Sequence, residues 1–408
     1  MRILHTADWH LGKRLETFSR LEEQKEVLEE ICEIADREKV DAVIIAGDLF
    51  DTYNPSSEAV ELFYRTLKKI SNGGKRLVFA IAGNHDSPER IEAPDVLARE
   101  CGIVFAGYPN SLIQPCQLGS GICIVKSDEG FAEIKLPDFQ YTLRIVFTPY
   151  ANEFRLKTFI SHENPDEEYR TILTERWKIL SEKYCDPQGV NILMAHLYVM
   201  KKDENPPEEP EDEKPILHVG GAQAVFSENF PDQIQYVALG HIHRKQTIDK
   251  NPCPIAYSGS PLAYSFGEAN QDKFIKVIEA EPGKPVSSKS IKLKSGKKLL
   301  RKKFKDILQA ADWLKENQEA LVEITIVTEK FLSGEDKKLL MGSHEGIINI
   351  IPEVTDKTFL ESLSSRTIDL SKSNEELFKE YFQFRYESLP NERLLKLFKE
   401  VQAEEDEN

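Results

Sequence analysis

Near its start the sequence reads Ile3-Leu4-His5-Thr6-Ala7-Asp8-Trp9-His10, a short apolar run that ends on an aspartate and a histidine. Four later segments follow the same plan, with an apolar run before a polar residue of a type that binds metals. They are residues 43–48, 78–86, 192–196 and 237–243. Runs of this kind are typical of strands that are buried on both faces of a sheet. Alternation of such strands with helices over the first ~275 residues predicts an α/β sandwich.

The polar strand ends predict a metal site, because ligands bind beyond the carboxyl ends of strands in such sheets. The candidate ligands are Asp8, His10, Asp48, Asn84, His196, His241 and His243. Carboxylate, imidazole and amide donors together suit Mn, Fe or Zn, and the absence of cysteine from the set argues against structural zinc. One such cation takes about four to six donors including water, so this many protein ligands indicate a binuclear centre.

The spacing of the ligands adds two details. Asp8 and His10 are two residues apart, as are His241 and His243, which on a continuing strand would place both side chains on one face. Asp48 is the natural bridging ligand, because it is the central carboxylate and the single ligand at its strand end. A bridging carboxylate can hold two cations that lie about 3.5–4 Å apart.

The order of these motifs resembles that of the calcineurin-like metallophosphoesterase superfamily, which is D-x-H, G-D, G-N-H-D/E, a lone His and G-H-x-H. The matching residues are Asp8-Trp9-His10, Gly47-Asp48, Gly83-Asn84-His85-Asp86, His196 and Gly240-His241-Ile242-His243. One D-x-H occurs by chance in many chains of this length, whereas the complete ordered series does not. Residues 5–12, 47–52, 240–244 and 257–262 further resemble the bacterial DNA-nuclease branch of that superfamily.

The resemblance implies a four-layer αββα sandwich with a small α+β capping domain and C-terminal helices. It implies two divalent cations, with Mn the expected metal and Fe or Zn the alternatives. One cation would be held by Asp8, His10, Asp48 and His243. The other would be held by Asp48, Asn84, His196 and His241.

The resemblance also implies that His85 protonates the leaving oxygen or steadies the transition state. Imidazole suits this role because histidine in general titrates near neutral pH. The alternative is a histidine that only forms a hydrogen bond within its loop. Asp86 could orient His85 or cap the following turn. Asp51 stands where archaeal and eukaryotic relatives have a second histidine, so a proton-shuttling group is lost there.

Composition predicts a cytoplasmic protein. At 408 residues the chain can hold two or three domains and bury a large core. No segment approaches the ~20 apolar residues of a membrane span, and no signal-peptide region precedes the first strand. The 6 cysteines show no C-x-x-C spacing and are typical of reduced thiols.

The formal net charge of −16 is a poor electrostatic match for a DNA-binding protein. Much of the acid lies in residues 203–213 and 404–407, while residues 292–305 contain 8 Lys or Arg. That basic stretch is interpreted equally well as a DNA-binding strip or as a solvated face. Bound cations would add positive charge that the formal count omits.

Breaks in the pattern divide the chain into three predicted parts. Residues 1–279 form the metallophosphoesterase domain, with helices at 21–37 and 57–70. After a break at Pro282-Gly283 and Pro285, residues 286–368 form the capping domain. It has predicted strands at 289–293, 321–328 and 347–351 and a helix at 304–317 that carries Trp313 as a core residue. Residues 372–408 form the C-terminal helical segment.

Two apolar surfaces predict protein partners. The superfamily resemblance implies a homodimer through Leu62, Phe63, Leu67, Ile91, Val96 and Leu97, although these residues could instead face the sheet. Asn374 could cap a helix that carries Leu377, Phe378, Tyr381, Phe382 and Phe384, and Leu389-Pro390 ends it. A second helix carries Leu394, Leu395, Leu397 and Phe398. These helices could pack on the chain's own core. The resemblance favours docking to an SMC-like ATPase, which together with a homodimer would make a heterotetramer.

Charged and aromatic residues that flank the motifs are candidate DNA contacts, although any of them could simply be solvated. They are Lys13, Arg14, Tyr53, Arg90, Arg244 and Lys245. Three functions remain open at this point. The first is a metal-dependent nuclease that cuts double-stranded ends, single strands and hairpins. The second is a binuclear-metal phosphatase or nucleotidase, and the third is a non-catalytic DNA-end scaffold. The chain has no G-x-x-x-x-G-K-[ST] motif, so ATP hydrolysis would belong to the partner.

Overall fold

The computed structural model describes residues 1–160, 164–202, 224–329, 331–355 and 373–386, together with residues 390, 394, 395 and 398. Several predicted features lie outside these residues. They are the acidic segments 203–213 and 404–407, the end of the predicted capping domain at 356–368, Leu389 and Leu397.

Strands of the described residues follow one another in this order: β1 (Arg2–Thr6), β2 (Arg14–Leu15), β3 (Phe18–Ser19), β4 (Ala42–Ala46), β5 (Leu77–Ile81), β6 (Ile103–Ala106), β7 (Cys116–Gln117), β8 (Cys123–Asp128), β9 (Phe131–Lys135), β10 (Thr142–Thr148), β11 (Val190–His196), β12 (Val199–Met200), β13 (Val225–Phe226), β14 (Tyr236–Gly240), β15 (Gln246–Asp249), β16 (Ile255–Tyr257), β17 (Phe274–Glu279), β18 (Ser287–Lys292), β19 (Leu299–Phe304), β20 (Leu321–Thr328) and β21 (Ile347–Val354). The α-helices are α1 (Leu21–Arg37), α2 (Ser57–Ile70), α3 (Pro88–Glu92), α4 (Asp95–Glu100), α5 (Glu153–Leu156), α6 (Pro165–Tyr184), α7 (Ile307–Glu316), α8 (Gly334–Ser343) and α9 (Asn374–Tyr386).

Two large sheets organise most of the chain. The first has the strand order β18-β17-β1-β4-β5-β6, in which β1, β4, β5 and β6 run parallel. The second has the order β15-β16-β14-β11-β10-β9-β8-β7, in which β10, β11, β14 and β16 run parallel. Strands β4, β5, β11 and β14 are buried at every position, which explains their unbroken apolar character.

Alternation along each strand builds separate cores on the two faces of a sheet. On β4, Ile44 faces a core that the first sheet shares with the second, whereas Val43 faces the core beneath α1 and α2. On the outer face of the second sheet, Leu173 and Trp177 of α6 pack against its strands. The α/β fold class predicted from the sequence is confirmed.

The two N-terminal helices occur where the sequence predicts them. α1 buries Val27, Leu28, Ile31 and Ile34, which recur at helical spacing. α2 begins after Ser56, whose side chain accepts a hydrogen bond from the backbone N–H of Ala59.

The residues proposed for a dimer surface divide into two groups. Phe63, Leu67 and Ile91 are buried in the chain's own core, and Leu62 is partly buried against the same core. Val96 and Leu97 are 70% and 76% exposed on α4. The homodimer therefore stays a prediction that depends on α4 and not on the buried part of α2.

The small sheet contains β19, β20 and β21, all parallel, with α7 and α8 packed against it. The placement of residues 289–293 in this unit is wrong, because they belong to β18, which pairs with β17 in the first large sheet. The predicted helix at 304–317 begins later, at Ile307. Phe304 ends β19, and the side chain of Asp306 caps the helix by accepting from the N–H of Gln309.

Contacts join the small sheet to the rest of the chain. Leu299 and Leu321 are buried together with Leu15 and Phe266 in one cluster. Trp313 is packed against the small core, in agreement with its predicted role.

The C-terminal helix α9 spans residues 374–386. Its first turn is capped by Ser373 and not by Asn374: the N–H of Glu376 donates to Ser373 Oγ at 3.3 Å, and the N–H of Ser373 donates to the Glu376 carboxylate at 3.0 Å. Phe378 stacks on Phe398 with ring centroids 4.2 Å apart. Among the described residues, no helix is long and apolar enough to cross a membrane.

Removing an aromatic ring from between the two large sheets should destabilise the fold strongly. Phe79 and Phe147 are fully buried, with ring centroids 5.4 Å apart. We expect Phe79→Ala to lower the free energy of unfolding by about 3–5 kcal/mol, because it leaves a cavity in a packed core. Urea unfolding measures this change. As a control, Ile179→Ala on α6, at a position that is 62% exposed, should shift it by less than about 0.5 kcal/mol.

Candidate metal centre

Sheet topology brings the five polar strand ends together. β1, β4 and β5 are parallel neighbours, so Asp8, Asp48 and Asn84 follow adjacent strands at the same edge of the first sheet. β11 and β14 are parallel neighbours in the second sheet, and they deliver His196 and His241.

Backbone and side-chain bonds hold the strand ends in register. The N–H of Asp8 donates to the carbonyl of Gly47 and the N–H of His10 donates to that of Asp48, both at 2.9 Å. Between the sheets, the N–H of His241 donates to the Asp8 carboxylate at 2.8 Å. The loops that carry the candidate ligands are therefore fixed to one another as well as to their own strands.

Four candidate ligands have left-handed backbone conformations. The φ angles are 55° at Asp8, 43° at His10, 48° at Asp48 and 103° at His241. Non-glycine residues rarely adopt such angles. They persist where the surrounding structure over-determines them, and they cluster at functional sites.

Two glycines of the motifs are required by close packing. Gly47 has a φ of 94°, and a Cβ there would lie 2.2 Å from Nδ1 of His196. A Cβ on Gly240 would lie 1.9 Å from the carbonyl oxygen of Ala46. Glycine is thus the residue that lets the two sheets approach at this point.

The first group of ligands includes two imidazoles whose Nε2 atoms face each other. Nε2 of His10 lies 3.0 Å from Nε2 of His243 and 3.4 Å from Oδ2 of Asp48. Metal-binding atoms of Asp8, His10 and Asp48 all lie within 4.8 Å of one another.

The second group shares Asp48 with the first. Oδ1 of Asn84 lies 2.9 Å from Nε2 of His196 and 2.9 Å from Nδ1 of His241. Oδ2 of Asp48 lies 3.3 Å from Nε2 of His196. The structure thus brings all seven predicted ligands together and places Asp48 between the two groups.

Burial and charge set the protonation of these groups. Burial favours a raised pKa at Asp48, but the neighbouring His196 and His10 outweigh it and hold the pKa well below its ordinary value. Burial raises the pKa of Asp8 to about 6 and lowers that of His10 to about 4 and of His241 to about 3. Burial also opposes the charged form of His196, yet Asp48 raises its pKa to about 9. At neutral pH, His10, His241 and Asp48 are therefore in the deprotonated forms that bind metals.

The residues fit a pair of divalent cations. Oδ2 of Asp8 is buried without a hydrogen-bond partner, which would be unfavourable unless another group satisfied it. The donor set of imidazoles, carboxylates and one amide is suited to Mn, Fe or Zn. Metal-binding atoms of His10, Asp51 and His85 also lie within 4.8 Å of one another. The sequence does not predict this combination.

His85 is held beside the ligands by its backbone and its ring. Its N–H donates to Oδ1 of Asp48 at 2.9 Å, and its Nδ1 lies 2.8 Å from the carbonyl oxygen of Asp51. Its ring centroid is 4.8 Å from that of His10. Unlike the buried ring of His10, His85 is partly exposed.

Asp86 braces the loop that carries His85. Its carboxylate accepts backbone hydrogen bonds from Gly83 at 2.7 Å, Phe50 at 2.9 Å and Leu49 at 3.0 Å. The following helix is capped by Ser87 and not by Asp86.

Sequence reasoning missed Arg155. This side chain is 2% exposed and donates to the carbonyl oxygens of Gly83 at 2.7 Å and Asp86 at 2.8 Å. It also donates to the Tyr53 hydroxyl at 2.8 Å. Arg155 therefore clamps both ends of the loop that contains Asn84, yet it lies outside every ligand motif and has no spacing signal.

A second missed feature lies behind His243. Glu268 is 1% exposed, its Oε1 lies 3.4 Å from Nδ1 of His243, and its other oxygen contacts the amine of Lys273. The sequence offers no signal for this pair beyond two ordinary charged residues between strands.

Two of the candidate DNA contacts are engaged within the chain. Lys13 lies 3.0 Å from the Asp51 carboxylate, and Tyr53 accepts its hydrogen bond from Arg155.

Two other candidates also have internal contacts. Arg90 donates to the Asn54 side chain at 2.9 Å, and the Lys245 amine lies 3.6 Å from the centre of the Phe274 ring. Four of the six candidates are exposed: Arg14, Tyr53, Arg90 and Arg244.

The basic stretch at 292–305 is partly paired with acidic side chains. Three of its side chains pair with carboxylates at 2.6–2.7 Å, as Lys292 with Asp272, Arg301 with Glu323, and Lys303 with Glu353. These pairs favour the interpretation as a solvated face over that as a continuous DNA-binding strip.

Comparison with known proteins agrees with this geometry. Residues 1–245 match the family model described as calcineurin-like phosphoesterase, and the chain belongs to this family. Membership implies a divalent-metal site, for which the two ligand groups provide the donors.

Relatives with similar sequences share one name, that of the SbcD component of the SbcCD nuclease. The protein of Bacillus subtilis (strain 168) is 35% identical over 410 residues, which are 98% of this chain and 97% of that protein. That of Staphylococcus epidermidis is 31% identical over 76% of this chain and 74% of its own. That of Rhodobacter capsulatus is 32% identical over 69% and 67%, respectively. The resemblance seen in the motifs is confirmed over nearly the whole chain.

Removing the Asp86 carboxylate should destabilise the protein. We expect Asp86→Ala to lower the free energy of unfolding by about 3 kcal/mol or more, because buried N–H groups left without acceptors cost about 1–3 kcal/mol each. Urea unfolding measures the loss. Asp312→Ala, on the surface of α7, is the control and should change little. An equal effect of both substitutions would contradict the bracing role.

Proposed function

We propose that this protein is a metal-dependent DNA nuclease that works with an SbcC-type, SMC-like ATPase in DNA end processing, repair and recombination. The observation that carries the proposal is the similarity to a named nuclease component over 98% of the chain, together with the convergence of all seven candidate ligands. The similarity includes the small sheet and the C-terminal segment, which phosphoester cleavage by itself does not require.

The centre would hold two divalent cations, of which Mn is our first choice. The first position comprises Asp8, His10, Asp48 and His243. The second comprises Asp48, Asn84, His196 and His241. When bound, such cations stabilise charge on the phosphate oxygens and activate a water for attack.

His85 would act on the leaving group. Because its Nδ1 lies against the carbonyl oxygen of Asp51, Nδ1 carries the donated proton and Nε2 is left to face the substrate. In the imidazolium form, with a proton on each ring nitrogen, His85 would give its Nε2 proton to the departing sugar oxygen and become the neutral ring. The bonds that Asp86 and Arg155 make to the same loop keep that ring in place.

DNA would approach over the loops that carry the motifs. We propose that Lys13, Arg14, Tyr53, Arg90, Arg244 and Lys245 contact its phosphates, because they flank the motifs and four of them are exposed.

Two further surfaces would serve assembly. Val96 and Leu97 on α4 are exposed and would join two copies of the chain. Residues 372–408 would dock to the ATPase, and the complete assembly would be a heterotetramer.

Replacing His85 should separate metal binding from catalysis. We expect His85→Asn to retain bound manganese while cleavage of an end-labelled duplex and of a hairpin falls by about 10²–10⁴-fold, because proton transfer to the leaving group is lost. Asp48→Ala should lose both manganese and cleavage. Metal analysis of the purified variants is run beside the cleavage assay.

A His85 variant that lost its metals would show that this residue is a ligand and not a catalyst. Hydrolysis of a small chromogenic phosphodiester with both DNAs left intact would favour a phosphatase over a nuclease.

Deleting the C-terminal segment should affect assembly alone. We expect a chain without residues 372–408 to keep manganese-dependent cleavage and to lose association with the ATPase, because the segment lies outside the ligand motifs. Co-purification of the two proteins measures the association, and circular dichroism checks that the shortened chain is folded. If the shortened chain still co-purified with the ATPase, the docking proposal would be wrong.

A further inference from the structure

The two imidazoles that face each other at the first metal position have a common feature behind them. His10 and His243 approach through their Nε2 atoms at 3.0 Å. On the far side of each ring, Nδ1 lies 3.4 Å from a carboxylate oxygen, which belongs to Asp51 behind His10 and to Glu268 behind His243.

Each carboxylate is paired in turn with a lysine. The amine of Lys273 contacts Glu268 and donates to the carbonyl oxygen of His243 at 3.1 Å and to Ser260 Oγ at 2.9 Å. The same carboxylate accepts from the N–H of Tyr264 at 2.9 Å. A negative charge that is 1% exposed is retained because these groups compensate it. His243 is thereby held through both its ring and its backbone.

The pair behind His10 is looser. Nδ1 of His10 and Oδ1 of Asp51 are both buried atoms that lack a hydrogen bond, and they lie 3.4 Å apart. A small rotation of the ring would join them. Lys13 lies 3.0 Å from the same oxygen.

The other two histidines are supported in a different way. Nδ1 of His196 lies 2.8 Å from the carbonyl oxygen of Ala46. Nδ1 of His241 lies 2.9 Å from the side-chain oxygen of Asn84, which is itself a candidate ligand. A carboxylate paired with a lysine thus backs Nδ1 of His10 and of His243. A backbone carbonyl backs Nδ1 of His196, and Nδ1 of His241 faces another candidate ligand.

We propose that Glu268–Lys273 and Asp51–Lys13 are positioning pairs that set the affinity of the first metal position. Each carboxylate accepts the Nδ1 proton of its histidine, so that both Nε2 lone pairs point at one cation. A carboxylate in this place also strengthens the imidazole as a ligand, and loss of such a partner typically weakens metal binding by about 10–100-fold. The inference rests on the proposed binuclear centre. It adds the residues that set the difference in metal affinity between the two positions.

Two backgrounds separate the positions. Asn84→Ala removes a ligand of the second position alone, so manganese titration by calorimetry then reports on the first. His243→Ala does the reverse. Adding Glu268→Gln, which keeps the size of the side chain but removes its charge, should raise the Kd about 10–100-fold in the Asn84→Ala background. It should leave the Kd unchanged in the His243→Ala background.

Two further variants keep the test decisive. Asp51→Asn should weaken manganese binding in the same background and direction, and it does so without altering the buried Glu268. Glu133→Gln is the matched control, because Glu133 also pairs with a basic side chain, Arg144 at 3.0 Å, on strands away from the histidines. It should leave both affinities unchanged.

The proposal is overturned if Glu268→Gln and Asp51→Asn leave the first position unchanged, or if they weaken both positions equally. The readout does not depend on DNA. Manganese binding with the expected pattern by a chain that leaves DNA intact would overturn the proposed nuclease and keep this inference. If the chain cleaves DNA but neither substitution changes its manganese affinities, the proposed nuclease stands and this inference is overturned.

Discussion

A carboxylate buried where two sheets meet is the constraint on which the site depends. Asp48 is 2% exposed, and a buried charge is tolerated only when hydrogen bonds or opposite charges compensate it. The N–H of His85 satisfies one oxygen, and His10 and His196 lie 3.4 and 3.3 Å from the other. Two of the groups that surround Asp48, His10 and His196, are also candidate metal ligands, so the stability of the site and its chemistry depend on the same residues.

The backbone of the candidate ligands is strained, and it therefore requires rigid surroundings. Asp8, His10 and Asp48 all have φ between 43° and 55°, angles that persist only where neighbouring contacts leave no alternative. Asp86 provides such contacts next to Asp48, since it accepts hydrogen bonds from the N–H groups of Leu49 and Phe50. Arg155 in turn fixes the loop of Asp86, by donating to carbonyl oxygens at both of its ends. The centre is therefore pre-organised by groups that touch no substrate.

Much of the fold and most of the candidate centre could be predicted, because their signals are local. Apolar runs mark the buried strands, and helical spacing located α1 and α2 at the residues where they occur. Errors arose where a distant partner decides the outcome. Residues 289–293 have no signal that they pair with β17 and not with a strand of the small sheet. The cap at Ser373 is the exception, because its signal is local: Glu376 follows it at capping-box spacing.

The sequence by itself determined which residue types end each strand, and hence the family and the ligand set. Those features survive as short patterns because each depends on neighbours in the chain. Only the tertiary structure decided which atoms meet. Asp8 bonds to a residue 233 positions away, and Arg155 reaches a loop some 70 positions before it. The proposed positioning role of Glu268 and Lys273 depends on their contacts with His243. Such contacts follow from sheet order and packing, and no spacing within the chain records them.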